Sequence, residues 1–171
     1  NNSQVKALTT AQLNAMESAD LQALATNLIQ ALTTSQVAGL STDQLRLLTT
    51  TQVGAFTNPQ LAALSSDQLN AMESADLQVL SGSQMQALST SQVNNLTTTQ
   101  VQTLTTAQVA ALGTAQVRAL SSDQLNAMES ADLQSLTSSQ LQAIATGQMS
   151  SLTTSQLSVL TTAQVRALTT N

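Results

Sequence analysis

The feature that most restricts this chain is a period of eight. The phrase Leu-Thr-Thr-x-Gln-Val-x-Ala, seen almost pure as LTTAQVAA from Leu104 to Ala111, recurs in unbroken register from one end of the sequence to the other. We number as position 1 every residue whose number is a multiple of eight. That position holds Leu in sixteen of its twenty-one places, and Met16, Phe56, Met72, Met128 and Ile144 in the others. Position 6, from Val5 to Val165, holds only Val, Leu, Ile or Met. Position 5 is Gln except at Asp20, Leu28, Asp76 and Asp132, and position 8 is mostly Ala. Self-similarity at a fixed short period is the signature of a repeat architecture.

Eight is an awkward number for either regular backbone. A straight α-helix turns about 100° per residue, so an eight-residue stripe drifts by about 80° per repeat and winds around the helix. Coiled-coil stripes need periods near 3.5 or 3.67. In a strand, positions 1 and 6 fall on opposite faces, because they are separated by odd numbers of residues in both directions. The chain must therefore bend once per octad.

Position 3 marks the bend. Its occupants, Asn2 through Thr170, are only Thr, Ser, Asn or Gly, the residues preferred at a helix N-cap. Pro59 follows Asn58 of this set, which places the ring at a first helical position where its missing N–H costs nothing. Asp43, Asp67 and Asp123 at position 4 fall in the same first turn, as do Asp20, Asp76 and Asp132 at position 5. The four cations, Lys6, Arg46, Arg118 and Arg166, all lie at position 7. That polarity suits a helix dipole. A rival placement puts the cap one residue earlier and reads Thr-x-x-Gln as a capping box. Glu17, Glu73, Glu129, Ala25, Ala145 and Gly113 at that position weigh against it.

Each octad then reads as a helical segment of about five or six residues followed by a short corner, with positions 6 and 1 turned inward and position 7 turned to water. Two large side chains do not offset the entropy of ordering eight residues. Stability must come from stacking octad on octad, which is the logic of a solenoid. The expected fold is all-α: a tandem-repeat solenoid of very short helices, one per octad, forming an elongated rod. Residues 1–171 read as a single array of about 21 octads. A longer period overlies the first, because QLNAMESADLQ occurs identically at Gln12–Gln22, Gln68–Gln78 and Gln124–Gln134. It divides the chain into super-repeats of 56 residues near 12–67, 68–123 and 124–171. This spacing reads either as segmental duplication or as a whole number of superhelical turns. The second reading lines up the pairs Glu17 with Asp20, Glu73 with Asp76 and Glu129 with Asp132 on one side.

Composition narrows the chemistry. The chain has 42% apolar residues but one aromatic, Phe56, and neither Cys nor His. Disulfides and thiolate or imidazole metal sites are excluded, and no His is present to activate the many hydroxyls. Lys6 is the only amine-bearing side chain. The acidic pairs could be imagined as acid and base or as a Ca²⁺ site, but they read as N-terminal charges on short helices. Glycine-rich phosphate loops are absent. The expectation is a chain that is not an enzyme, with no catalytic, cofactor or metal site. A net charge of −5 on so few charged groups argues against binding nucleic acid. No apolar run is long enough to insert into a membrane. No signal peptide is visible and Asn1 is not an initiator Met, so a processed chain or a segment of something larger is expected.

The Gln column reads first as structural, its amides bonding the backbone exposed at each corner or the next Gln, and second as a polar recognition ladder. The Thr-Thr columns suggest an ice-binding variant, although position 2 is too mixed to make regular rows. The array begins at Val5 and ends at Leu168 without the polar capping repeats that close most solenoids. The expected partner is therefore a further copy or a continuation of the array, and a head-to-tail contact of this kind builds open filaments.

Two resemblances bear on function. LTTAQVAAL resembles the octad runs of very large secreted or surface proteins of Gram-negative bacteria, often labelled repetitive or adhesin-like, and the likeness covers the whole chain. It implies an extracellular or cell-surface location and a structural role as a fibre subunit, stalk or rod segment. The alternative is a solenoid binding module whose face, built from positions 7 and 2, recognises a peptide, glycan or surface. The phrase is also similar to the opening of the DNA-reading repeats of transcription-activator-like effectors, Leu-Thr-Pro-x-Gln-Val-Val-Ala. Here the unit is shorter, no Gly-Gly-Lys loop follows and no basic stripe is present, so DNA binding does not carry over.

Overall fold

A computed structural model describes residues 1–168. Among the described residues the chain forms twenty-one helices, one per octad, from α1 (Asn2–Ala7) to α21 (Thr162–Leu168), and no strand. The fold is an α-solenoid of very short helices. It divides into two compact units, Asn1–Leu88 and Ser89–Asn171.

The helices start one residue earlier than the hydroxyl pattern at position 3 implies. The N-cap is position 2, and position 3 is the first helical residue. Thr33 shows the arrangement. It sits in extended backbone at φ −72° and ψ 158°. Its hydroxyl accepts the N–H of Gln36 at 3.1 Å, while Gln36 Oε1 accepts the N–H of Thr33 at 2.8 Å. This reciprocal pair is a capping box, so the rival placement is the one the chain adopts. Pro59 is accordingly the second helical residue of α8 (Asn58–Ala63), whose cap is Thr57. The octads with Glu or Ala at position 2 do not overturn the arrangement, because half of the box needs no side chain at the cap. Gly113 and Ala145 donate their N–H groups to Gln116 and Gln148 Oε1, each at 2.7 Å.

Some helices, such as α8, stop at position 1, and others, such as α5 (Thr34–Ala38), one residue earlier. The N–H of Leu64 donates to the carbonyl of Leu61 at 3.2 Å, a tight three-residue closure, and Leu64 itself is extended at φ −66° and ψ 142°. The corner after α8 is thus two consecutive extended residues, positions 1 and 2. Among the described residues no position has a positive φ, so the bend needs no left-handed residue. The twenty corners that join these helices manage with five glycines in the chain for that reason.

Positions 6 and 1 form the core. Leu45, Val53, Leu61, Leu69 and Leu77 are fully buried, and position 1 joins them with Leu48, Phe56, Leu64 and Met72. Position 7 is turned outward, as at Arg46 and Gln86. Within the first unit α5 (Thr34–Ala38) packs on α8, and α8 on α11 (Gly82–Ala87). Within the second, α12 (Thr90–Asn94) packs on α15 (Thr114–Ala119), α15 on α18 (Ser138–Ala143) and α18 on α21. Within each unit, then, the packing runs from a helix to the one three octads on.

Close packing also fixes one position 8. Gly39 ends α5 against Thr10 in α2 (Thr10–Asn14), where an added Cβ would run into the Thr10 methyl and lie 3.2 Å from the Ser35 carbonyl. At Gly54 the nearest atom to an added Cβ is a Val79 methyl at 3.5 Å, an ordinary contact. Gly39→Ala is expected to cost about 1–3 kcal/mol through overpacking. Gly54→Ala, at the end of a helix, is expected to be neutral or to stabilise by up to about 1 kcal/mol. Urea midpoints of the two variants against the parent chain check the contrast.

Candidate functional site

A helix of five or six residues has almost no interior, since its first four N–H groups and last four carbonyls lack intrahelical partners. Position 5 resolves this from both sides. In the first unit Gln60 is 2% exposed. Its Oε1 accepts the N–H of Thr57 at the start of its own helix, at 2.8 Å. Its Nε2 donates to the carbonyls of Ile29 at 2.9 Å and Leu32 at 2.8 Å, at the end of the helix four octads earlier. Gln36 on Val5 and Leu8 repeats the pattern, as does Gln52 on Leu21 and Leu24. In the second unit Gln124 does the same on Val93 and Leu96, and Gln164 on Leu133 and Leu136. One amide side chain closes the start of one helix and the end of another.

These bonds measure the superhelix. Gln Nε2 reaches back 28, 30 and 31 residues, while position 7 reaches forward 25. Asn14 donates to the Gly39 carbonyl at 2.8 Å, Gln22 to that of Leu47 at 2.8 Å and Gln142 to that of Ala167 at 3.0 Å. The amide thus ties a helix to the end of the one four octads earlier, while position 7 ties it to the end of the one three octads later.

Asn14 also competes with the column. Its Oδ1 accepts the N–H of Ser41 at 2.9 Å, the bond that the Gln44 amide would otherwise make, and buried Gln44 Oε1 is left without a partner. Gln44 Nε2 still donates to Asn14 and Met16 carbonyls at 2.8 and 3.1 Å.

The aspartates of the column lie differently in the two halves of the pattern. Asp20 is exposed, whereas Asp76 and Asp132 are 4% and 3% exposed. A carboxylate keeps half of the glutamine's work and loses the other half. Asp132 Oδ2 accepts the Glu129 N–H at 3.3 Å, but an ionised carboxylate has no proton for the preceding turn. Burial pushes both carboxyls above the ordinary carboxylate range. The backbone N–H of Glu73 or Glu129 opposes that shift, with Thr106 helping at Asp132, and the neighbouring Glu charge adds to it.

The other charged candidates stay apart. Arg46 and Asp43 make an exposed pair at 3.3 Å on one helix, worth little in water. Lys6, Glu17 and Glu73 are exposed. Among the described residues no three of Asp, Glu, His or Cys converge as a metal site would require, and no helix is long and apolar enough to cross a membrane. One open hollow, about 530 Å³, lies in the second unit, lined by Leu141, Ile144, Met149, Leu157 and Leu168 among others. The sequence singled out the Gln column but gave no sign of this hollow.

Gln60→Ala orphans the Thr57 N–H and two carbonyls, and is expected to cost about 2–4 kcal/mol. Gln30→Ala, at an exposed position 7, is expected to stay within about 0.5 kcal/mol. Denaturant midpoints separate the two. Asp76→Gln and Asp132→Gln restore the missing donor and are expected to gain about 1–3 kcal/mol each at neutral pH. A carboxyl whose folded pKa is raised adds stability below its unfolded pKa and loses it as pH rises through the folded value. The advantage of the Gln variants is therefore expected to be widest at neutral pH and to shrink below the ordinary carboxylate range, as read from midpoints across an acid titration.

The column, the corner and the paired apolar positions recur as one unit throughout the described chain. The ALTTAQ repeat family model matches residues 13–50, 42–72, 69–106, 100–129 and 125–162. No curated protein matches the chain. The five matches run together from residue 13 to residue 162, and the chain belongs to the ALTTAQ repeat family.

Proposed function

We propose that the chain is a non-catalytic structural module, a segment of an extracellular fibre or of the stalk of a bacterial surface protein. The observation that carries this reading is the double use of position 5. Where position 5 is Gln its amide joins the helix to the turn before it, as at Gln60 on Ile29 and Leu32, so load passes from turn to turn through hydrogen bonds and packed Leu and Val. The polar, weakly charged exterior suits a spacer that must stay soluble without drawing counter-ions or nucleic acid to itself. Chemistry has little to work with, since the most buried carboxyls, Asp76 and Asp132, stand in structural positions within the column.

The location is tested on intact cells that make the protein. An antibody against the array is expected to label the outer surface or the shed material, and added protease is expected to remove the label. Labelling only after lysis overturns the extracellular reading. It leaves the solenoid untouched.

A further inference from the structure

We propose that Asp76 marks a binding site for Ca²⁺, formed by its carboxylate, the exposed Glu73 carboxylate and the carbonyls of Leu45 and Leu48 at the end of α6 (Thr42–Leu47). The ion takes the place of the amide donor that the column lacks at this buried rung of the first unit. The site goes beyond the structural role proposed above and stands on the geometry of the rung.

The rungs on either side fix what Asp76 faces. Gln68 Nε2 donates to the carbonyls of Val37 at 3.3 Å and Leu40 at 2.7 Å, and Gln84 Nε2 to those of Gly54 at 3.1 Å and Phe56 at 2.7 Å. In that register Asp76 of α10 (Ser74–Gln78) faces the carbonyls of Leu45 and Leu48. Both leucines are buried. The Leu45 carbonyl accepts the Leu48 N–H at 3.3 Å, and among the described residues nothing donates to the Leu48 carbonyl. An ionised carboxylate has no proton to offer them, and it is one methylene shorter than the amide it replaces. Acceptor therefore faces acceptor, and buried acceptors seldom go without a partner.

The carboxylate is short of donors as well. Asp76 is 4% exposed, and α10 has no capping box. Among the described residues the Glu73 N–H is its one donor. Asp132, the corresponding residue of the next super-repeat, has two, the Glu129 N–H at 3.3 Å and the Thr106 hydroxyl. Thr50 stands where Thr106 does and makes no such bond to Asp76. The groups around Asp76 are then all hard oxygens, and Ca²⁺ takes backbone carbonyls along with carboxylates. A third carboxylate is not needed where carbonyls complete the set. Asp76 and Glu73 together balance a double positive charge, and the repulsion between them turns into shared attraction to the ion. Two carboxylates place the site at the weak end of the Ca²⁺ range, with a Kd of about 0.1–1 mM. That affinity suits the extracellular location proposed above without depending on it.

The test is the urea midpoint of the 171-residue chain in chelator and in Ca²⁺ or Mg²⁺ at about 5 mM, several times the expected Kd. Ca²⁺ is expected to raise the midpoint of the parent. Mg²⁺ holds its waters and demands a tighter octahedron, so it is expected to leave the midpoint nearly unchanged at the same ionic strength. Asp76→Gln supplies the amide directly. It is expected to fold, to exceed the parent in chelator and to lose the response to Ca²⁺, whereas Asp132→Gln keeps it. Equilibrium dialysis against radioactive Ca²⁺ is expected to show the loss of a bound ion in Asp76→Gln alone. A parent indifferent to Ca²⁺, a response that Mg²⁺ reproduces in full, or one that survives Asp76→Gln overturns the site. None of these results bears on surface labelling of cells.

Discussion

The structure depends on how a helix too short to satisfy its own backbone is made to persist. Five residues of α-helix supply about one or two internal bonds and leave polar groups at both ends, and such a segment does not survive alone in water. The chain meets this demand with a single side chain of two functions. Glutamine presents an acceptor and a donor on one planar amide, and it is long enough to place the acceptor on its own N-cap and the donor on the preceding turn. At Gln52 the acceptor takes the Thr49 N–H at 3.0 Å and the donor reaches Leu24 O at 2.8 Å. Hydrophobic burial at positions 6 and 1 supplies the driving force, but only the amide makes that burial compatible with a helix end inside the molecule.

The same geometry explains which substitutions the column carries. Asp at position 5 retains the cap and gives up the donor, and where it is buried, as at Asp76 and Asp132, its carboxyl is pushed toward the neutral form. Asn14 shows that the capping bond can instead be supplied from outside, by a position-7 side chain four octads earlier. The orphaned Gln44 Oε1 is what remains when two groups compete for one N–H. Local and inter-turn bonding are thus interchangeable at the corner, provided that each helix start finds one acceptor and each helix end one donor.

Much of this was legible in the residues. The eight-residue period excluded long helix and strand, and the spacing of Leu8, Leu24 and Leu32 against Val5, Leu21 and Ile29 identified the inward columns. The cap was misplaced by one residue. The uniform hydroxyls at position 3 satisfy the preferences of an N-cap, and the mixed position 2 does not look like one. What decides the matter is Gln three residues on, whose Oε1 makes its bond to the backbone of Gly113 or Ala145 as readily as to that of Thr33. The reach of 28 residues was invisible, because nothing in an octad states how many octads make a turn. That number follows from packing angles between helices, which depend on the volumes of side chains in different turns. The close approach of Gly39 to Thr10 has the same origin.

The corner built from two ordinary extended residues, with no positive φ among the described positions, has a consequence for heredity. The corner itself asks for no special residue, and the octads that carry Gln at position 5 offer their neighbours the same donors and acceptors. Gene slippage that adds or removes twenty-four nucleotides therefore leaves the ladder whole, whereas a gain of any other number of codons strands one amide column against the wrong carbonyls at the seam. Arrays of this design can therefore lengthen or shorten in units of one octad without breaking the ladder.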